Sequence, residues 1–153
     1  MTIVGVHHVT LLVDDLDKAA WFYGGLLELP ANPRPDFDFP GLFYRCGDQQ
    51  IHLIVTPQLP PTTDLVLRFA DGSQGSRRYI HRHAALSARD LPVLKQRLQA
   101  NGIEILVDPE RVDTDDALTH NLLAAWMRMY GQVPLFCLDP FGNLLELVPG
   151  RAA

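Results

Sequence analysis

Three histidines and one glutamate stand at matching places in two similar stretches of the chain, His8 and His52 in the first, His83 and Glu146 in the second. Each stretch has one of these side chains at the start of its first predicted strand and the other within its last. Imidazole and carboxylate together form a mixed nitrogen and oxygen donor set, which suits Zn, Ni, Co, Mn or Fe(II). The four residues therefore predict one divalent metal site, with two positions of a six-coordinate ion left open for substrate or water.

Each of these residues also has an ordinary structural explanation when taken alone. A single strand histidine is more often hydrogen-bonded and partly buried, and a single strand glutamate more often faces solvent. Glu146, however, shares a strand face with Leu144 and Val148, and burying a carboxylate there without a partner is costly. Four such residues at matching places favour the metal site. His7, one position before His8, is expected on the opposite strand face.

The two stretches repeat one pattern. The segments 8–16 and 83–91 both begin with histidine, carry leucine three positions later and end in Asp-Leu. Such self-similarity is typical of a repeated supersecondary unit. We therefore expect two modules, at residues 1–56 and 79–149, joined by a connector at 57–78 in which a short strand can form.

Each module is predicted to contain a strand, a helix and then several strands. Asp14 or Asp15 can cap the first helix, and Asp90 can cap the second. Turn residues at 47–48 and at 139–142 then separate pairs of apolar strand segments. These elements predict a fold of the α+β class, built from two βαβββ modules.

One difference breaks the symmetry of the two modules. The candidate metal residues of the first module are 44 positions apart, and those of the second are 63 positions apart. The second module therefore carries 19 additional residues, which we place in an insertion at about 108–132. Asp115 or Asp116 can cap a helix there that includes Trp126. This helix is either a lid, from which His120 can approach the site, or an additional packing layer.

Composition and charge limit the classes of protein to be considered. A length of 153 residues and an apolar fraction of 47% suit a globular fold with a substantial core. The net charge of -5 argues against nucleic-acid binding, which needs a concentrated basic face. No apolar run approaches the roughly 20 residues that cross a bilayer. Cys46 and Cys137 lack the spacing of a disulfide framework or a metal motif, so we expect both to be small core residues. We also expect the protein to be in a reducing, cytoplasmic setting.

Four segments resemble the vicinal oxygen chelate superfamily: 8–16, 50–54, 83–91 and the closing Asp-Pro-Phe-Gly-Asn-Leu-Leu-Glu-Leu of 139–147. This superfamily includes glyoxalase I, methylmalonyl-CoA epimerase, extradiol dioxygenases and the fosfomycin- and bleomycin-resistance proteins. The resemblance covers nearly the whole chain apart from the connector and the insertion. It implies that the two βαβββ modules pair into a half-open mixed β-sheet barrel around a central cleft.

The resemblance also suggests roles for the four candidate residues. His8, His83 and Glu146 match the metal positions that most catalytic members share. His52 stands where glyoxalase I and the epimerase have glutamate or glutamine, so we do not expect methylglyoxal–glutathione chemistry. Glu146 is the first candidate for proton transfer, and His52 is an alternative base if its bond to the metal is labile. A metal-bound histidine is not a free base, so His52 cannot hold both roles at once.

The implied function is that of a glyoxalase-like, divalent-metal-dependent enzyme of the lyase or isomerase type. It would chelate vicinal oxygens of a small substrate and stabilise an enediolate or enolate intermediate. One alternative is an Fe(II) extradiol-type dioxygenase, in which His8, His83 and Glu146 form the facial triad. The other is a non-catalytic resistance protein that binds a small molecule or antibiotic. Oligomeric state stays open, because such modules can pair within one chain or be exchanged between the chains of a homodimer.

Overall fold

The computed structural model describes residues 2–58, 66–68, 74–76, 83–108, 110, 125–129 and 131–150. By its contacts the chain divides into two compact units. The first, which we call the N unit, contains Met1–Pro61 and Pro140–Asn143, and the second, the C unit, contains Thr62–Asp139 and Leu144–Ala153. Within the N unit, the Asn143 side chain donates a hydrogen bond of 2.9 Å from Nδ2 to the carbonyl oxygen of Leu12.

The N unit contains a three-stranded mixed sheet. Strand β1 (His8–Val13) runs parallel to the central strand β3 (Gln49–Val55), and β2 (Gly41–Cys46) pairs antiparallel with the other side of β3. Successive side chains of a strand point to opposite faces. Ile51 and Leu53 of β3 are accordingly buried on one face, whereas the intervening residue reaches the other face. The second face carries the candidate site residues.

The helix of the N unit covers the buried face of the sheet. It begins as α1 (Leu16–Ala19), where Asp15 accepts a hydrogen bond of 2.9 Å from the backbone nitrogen of Lys18. This confirms Asp15 as the cap. The helix then widens into a π-helical stretch, Ala20–Leu26, which buries Phe22 and Tyr23 completely.

The N unit has one strand fewer, among its described residues, than the predicted βαβββ module. A single bridge between Ala31 and Tyr44 stands where an additional edge strand was expected. Pro30, Pro33 and Pro35 surround this bridge in sequence. A proline has no N–H to donate, so a ladder cannot extend through these positions.

The C unit contains a four-stranded mixed sheet with the order β6-β9-β8-β7. Its strands are β6 (His83–Ala88), β7 (Ile105–Val107), β8 (Leu135–Leu138) and β9 (Leu144–Pro149). The first and last of these strands are parallel neighbours, and the other pairs are antiparallel. A separate antiparallel pair, β4 (Val66–Arg68) and β5 (Gln74–Ser76), contains the strand predicted within the connector.

Helix α2 (Leu91–Ala100) has both of the ends that the sequence predicts. Asp90 accepts a hydrogen bond of 3.1 Å from the backbone nitrogen of Val93 at its start. At its end Gly102 adopts a φ of +72°, and the backbone nitrogen of Ile103 donates to the carbonyl oxygen of Leu98. This is the Schellman arrangement, which needs a residue that tolerates positive φ. The capped helix buries Leu98 completely.

The insertion is described only in part. Residues 125–129 are helical, and the Trp126 ring lies 5.5 Å from that of Phe136 on β8. The proposed caps Asp115 and Asp116, and His120, lie outside the described residues. No helix in the described part of the chain is long and apolar enough to cross a membrane. The predicted α+β class is confirmed by two mixed sheets of three and four strands.

Candidate metal centre

The N unit brings His8 and His52 together on the open face of its sheet. Strand register places His52 beside Thr10 of β1 and Phe43 of β2, and places His8 beside Gln50. The two imidazole rings stack with their centroids 4.1 Å apart and their planes 14° apart. Neighbouring parallel strands thus hold two potential nitrogen ligands in contact.

His52 is fixed from two further directions. The Phe43 ring stacks on it at a centroid distance of 3.5 Å, and its Nε2 lies 2.8 Å from Oε1 of Gln50. Because the amide oxygen accepts this hydrogen bond, Nε2 carries the proton and Nδ1 keeps the lone pair. Burial, and then the neighbouring His8 and His7, lower the pKa of His52. The ring is therefore neutral at neutral pH, which is the form that binds metal.

His7 does not lie on the face opposite His8, so that prediction is wrong. Its Nδ1 lies 3.0 Å from Nδ1 of His8, and both rings border the same cleft. Strand β1 begins at His8, so the alternation of strand side chains does not extend back to His7.

The C unit brings His83 and Glu146 together. Glu146 lies in β9 between buried residues and keeps only 6% of its surface exposed. Its Oε2 lies 2.9 Å from Nε2 of His83. Burial raises the pKa of the Glu146 carboxyl, and the nearby His83 opposes part of that rise. The partner that a buried carboxylate requires is therefore provided here by a second predicted ligand.

The four predicted ligands form two pairs, one in each unit. The N-unit pair offers two imidazoles, and the C-unit pair offers an imidazole and a carboxylate. Both kinds of donor group are suitable ligands for a transition metal. Among the described residues, no group of three or more His, Cys, Asp or Glu side chains has the arrangement of a metal site. The meeting of all four at a single centre stays a prediction.

A cleft of about 540 Å³ opens beside the N-unit pair. Its polar lining includes His7, His8, Thr10, Gln50 and His52, and its apolar lining includes Pro33, Pro35, Phe37, Phe39, Phe43 and Ile54. The apolar wall formed by residues 33–39 was not predicted from the sequence. The available signal was the alternation of aspartate and phenylalanine at 36–39, which suits a segment with one apolar side.

The two cysteines take no part in this chemistry. Cys137 is fully buried, and burial raises its thiol pKa to about 12. Burial also raises the pKa of Cys46, which is half-buried on β2. A thiol that stays protonated at neutral pH is a weak nucleophile and a weak metal ligand.

The chain is similar to several solved structures over nearly its full length. A glyoxalase family protein from Bacillus anthracis has a TM-score of 0.65 and 22% identity, with 99% of this chain and 98% of that chain covered. The fosfomycin resistance protein FosX from Listeria monocytogenes has a TM-score of 0.63 and 18% identity, with 98% and 94% covered. A glutamate-to-glutamine variant of FosX, complexed with Mn(II) and 1S,2S-dihydroxypropylphosphonic acid, has a TM-score of 0.65 and 18% identity, with 98% and 95% covered.

No curated protein sequence gives a significant match. A family model described as the Glyoxalase/Bleomycin resistance protein/Dioxygenase superfamily matches residues 5–147. Together with the two mixed sheets and their flanking helices, this match assigns the chain to a family. The chain belongs to the glyoxalase/bleomycin resistance protein/dioxygenase superfamily.

Proposed function

We propose that this protein is a divalent-metal-dependent enzyme of the glyoxalase-like type, acting on a small molecule with oxygen atoms on adjacent carbons. The observation that carries the proposal is the Glu146 carboxylate, buried in β9 and bonded to His83. Placing a carboxylate there costs free energy that an apolar residue would not cost. Such a cost is typical of a residue retained for chemistry.

The family and its solved members support a metal. One solved FosX variant holds Mn(II) together with a compound whose name places hydroxyl groups on adjacent carbons. In this chain the predicted ligands are His8, His52, His83 and Glu146. When bound, the metal would supply a Lewis acid that stabilises negative charge on a substrate oxygen.

The two units suggest different roles for their pairs. Burial raises the pKa of Glu146. Its carboxylate has two oxygen atoms, so one can bind the metal while the other takes a proton from a substrate carbon. The pKa of His52 is lowered, which favours a neutral ligand over a general base. We therefore assign proton transfer to Glu146, and metal binding to His8, His52 and His83 with Glu146.

A second function, binding of a small molecule without catalysis, is favoured by the open cleft of the N unit. An occupant can contact His8, Gln50 and the apolar wall there without a metal. Metal affinity distinguishes the two functions, since only the first needs an ion.

The test is a titration with Mn(II) of protein from which metal has been removed with a chelator. Electron paramagnetic resonance measures the free ion at each step. We expect His8→Ala and Glu146→Gln to weaken Mn(II) binding by more than roughly 100-fold, beyond the loss seen when only a group that orients a ligand is removed. His7→Ala, whose ring touches His8, is the matched control and should lose less than roughly tenfold. Equal affinities in all four proteins would rule out the ligand assignment and favour the binding protein.

A further inference from the structure

The cleft of the N unit is lined by polar and by apolar side chains. The lining includes the polar residues His8, Gln50 and His52 and the apolar rings of Phe37 and Phe39. Ring contacts lead from Phe37 through Phe43 to His52, so the apolar rings lie beside the polar residues. At about 540 Å³ the cleft lies within the range of small-molecule sites and has room for a ring beside a polar head.

The apolar wall is held in place before any ligand arrives. The rings of Phe37 and Phe39 are nearly parallel, with planes 8° apart and centroids 5.1 Å apart. The Arg34 guanidinium lies 5.1 Å from each of these ring centroids. It also donates hydrogen bonds to the carbonyl oxygens of Pro35 and Phe39. Because these contacts already order the wall, little conformational entropy remains to be lost on binding.

The two rings remain open to an occupant despite this order. Phe37 is 43% exposed and Phe39 is 38% exposed, although both are large apolar side chains. Within the lining of the cleft, Phe43, His52 and His8 form a continuous stack of three nearly parallel rings. Aromatic surfaces prefer a planar aromatic partner over a puckered one of similar area. The lining therefore favours a flat ring.

We propose that the cleft binds a small molecule with an aromatic ring, its ring against Phe37 and Phe39 and its oxygen-bearing head at His8 and His52. The placement of the head rests on the proposed metal-dependent function, whereas the ring contact does not need a metal. The proposal thus narrows the substrate class to aromatic compounds with oxygen atoms on adjacent carbons.

The test uses three probes that share a hydroxyl and a carboxylate on adjacent carbons. Mandelate carries a phenyl ring, hexahydromandelate carries a cyclohexyl ring and lactate carries a methyl group. Their affinities for the metal-stripped full chain are measured by ligand-observed NMR. We expect mandelate to bind at least roughly tenfold more tightly than lactate, because the ring removes apolar area from water. We expect a preference of roughly two- to tenfold over hexahydromandelate, because a flat ring stacks better.

Three variants locate the ring site. Phe37→Leu and Phe39→Leu keep an apolar side chain but remove the aromatic face, so they should abolish the preference for mandelate over hexahydromandelate. Both residues are exposed, and the variants should therefore fold normally. Trp21→Leu removes another exposed aromatic ring, 42% exposed and outside the lining of the cleft, and should keep the native preference.

Equal affinity of the native protein for mandelate and hexahydromandelate would overturn the proposal, as would an undiminished preference in both phenylalanine variants. The Mn(II) affinity of the native protein, measured in a separate titration, distinguishes this result from the proposed function. A ring preference in a protein without metal affinity would leave the inference standing and refute the enzyme. Metal binding without a ring preference would refute the inference and leave the proposed enzyme standing.

Discussion

The two units hold matching pairs of side chains in contrasting environments. In the N unit, His8 and His52 stack on each other beside an open cleft. In the C unit, His83 binds a Glu146 carboxylate that is almost completely buried. The pairs occupy corresponding strands of the repeat, since each joins the first strand of a module to the parallel strand beside it.

This contrast indicates that different forces position the two pairs. The charge of Glu146 has to be compensated, so its contact with His83 contributes to folding itself. His8 and His52 are held by ring stacking and by Gln50, and their exposed side stays accessible. The C-unit pair is therefore held by burial and charge, and the N-unit pair stays accessible to a ligand.

The largest expected difference between the units comes from removing the histidine of each pair. His83→Ala leaves Glu146 buried without that partner and should lower the free energy of unfolding by about 3 kcal/mol, the lower end for a broken buried pair. The lower end applies because the His83 side chain is 28% exposed. His8→Ala removes an exposed ring and should change it by less than about 0.5 kcal/mol.

Urea denaturation of the two metal-free variants at neutral pH measures this difference. Equal losses of unfolding free energy in His83→Ala and His8→Ala would mean that the buried charge of Glu146 does not make the two pairs different.

A smaller effect tests how closely β2 and β3 of the N unit approach each other. A Cβ at Gly41 would lie 2.4 Å from the carbonyl oxygen of Leu53 and 3.5 Å from Nε of Arg34. Gly41→Ala should therefore destabilise the protein by about 2 kcal/mol, as overpacking does. A Cβ at Gly25 meets nothing within 4 Å, so Gly25→Ala is the matched control.

Because Gly25 is helical, alanine there should leave stability unchanged or raise it by about 0.5–1 kcal/mol. Thermal unfolding of both variants gives the comparison. A tolerated Gly41→Ala would show that the backbones of β2 and β3 can move apart at this position.

The smallest effect tests whether Lys95, another buried charged residue of the C unit, is neutralised in the same way. Lys95 is 8% exposed, and its Nζ lies 2.6 Å from oxygens of both Asp108 and Glu110. These hydrogen bonds raise the pKa of Lys95 above its ordinary value of 10.5. Lys95→Met should cost about 1 kcal/mol at neutral pH, because Asp108 keeps a hydrogen bond from the backbone nitrogen of Glu110.

The pH dependence of that loss has a definite sign. A raised pKa in the folded state stabilises the protein below the ordinary value of 10.5, and this contribution is lost as the pH rises through the folded value. Native protein should therefore lose stability above pH 10.5, and Lys95→Met should lose less over the same interval. Parallel pH profiles for the two proteins would show that the ion pairs contribute nothing.

The sequence predicted those features that depend on local rules. Asp90 and Gly102 bound α2 because a side-chain oxygen and a tolerance of positive φ are what helix ends require. His83 and Glu146 were predicted only as two of four metal ligands, and their direct contact results from the parallel pairing of β6 with β9.

The features that the sequence did not predict depend on contacts beyond local rules. The missing strand of the N unit results from three prolines near Ala31. Their effect becomes visible only once Ala31 is known to pair with Tyr44. The place of His7 depended on where β1 begins, which alternation alone does not fix. The cleft wall depends on contacts of the Arg34 guanidinium with the rings of Phe37 and Phe39. The sequence spacing of these residues does not predict those contacts.

The central claim is that Glu146 belongs to a metal site. Elemental mass spectrometry of protein purified without chelator tests it directly, on native chain, Glu146→Gln and the matched control Glu104→Gln, whose side chain is exposed. We predict one transition-metal ion per chain in the native protein and the control, and its loss in Glu146→Gln. Iron would favour the dioxygenase, and zinc, nickel, cobalt or manganese the lyase or isomerase. Native protein that holds no transition metal after reconstitution, or Glu146→Gln that retains a full complement, would contradict the claim.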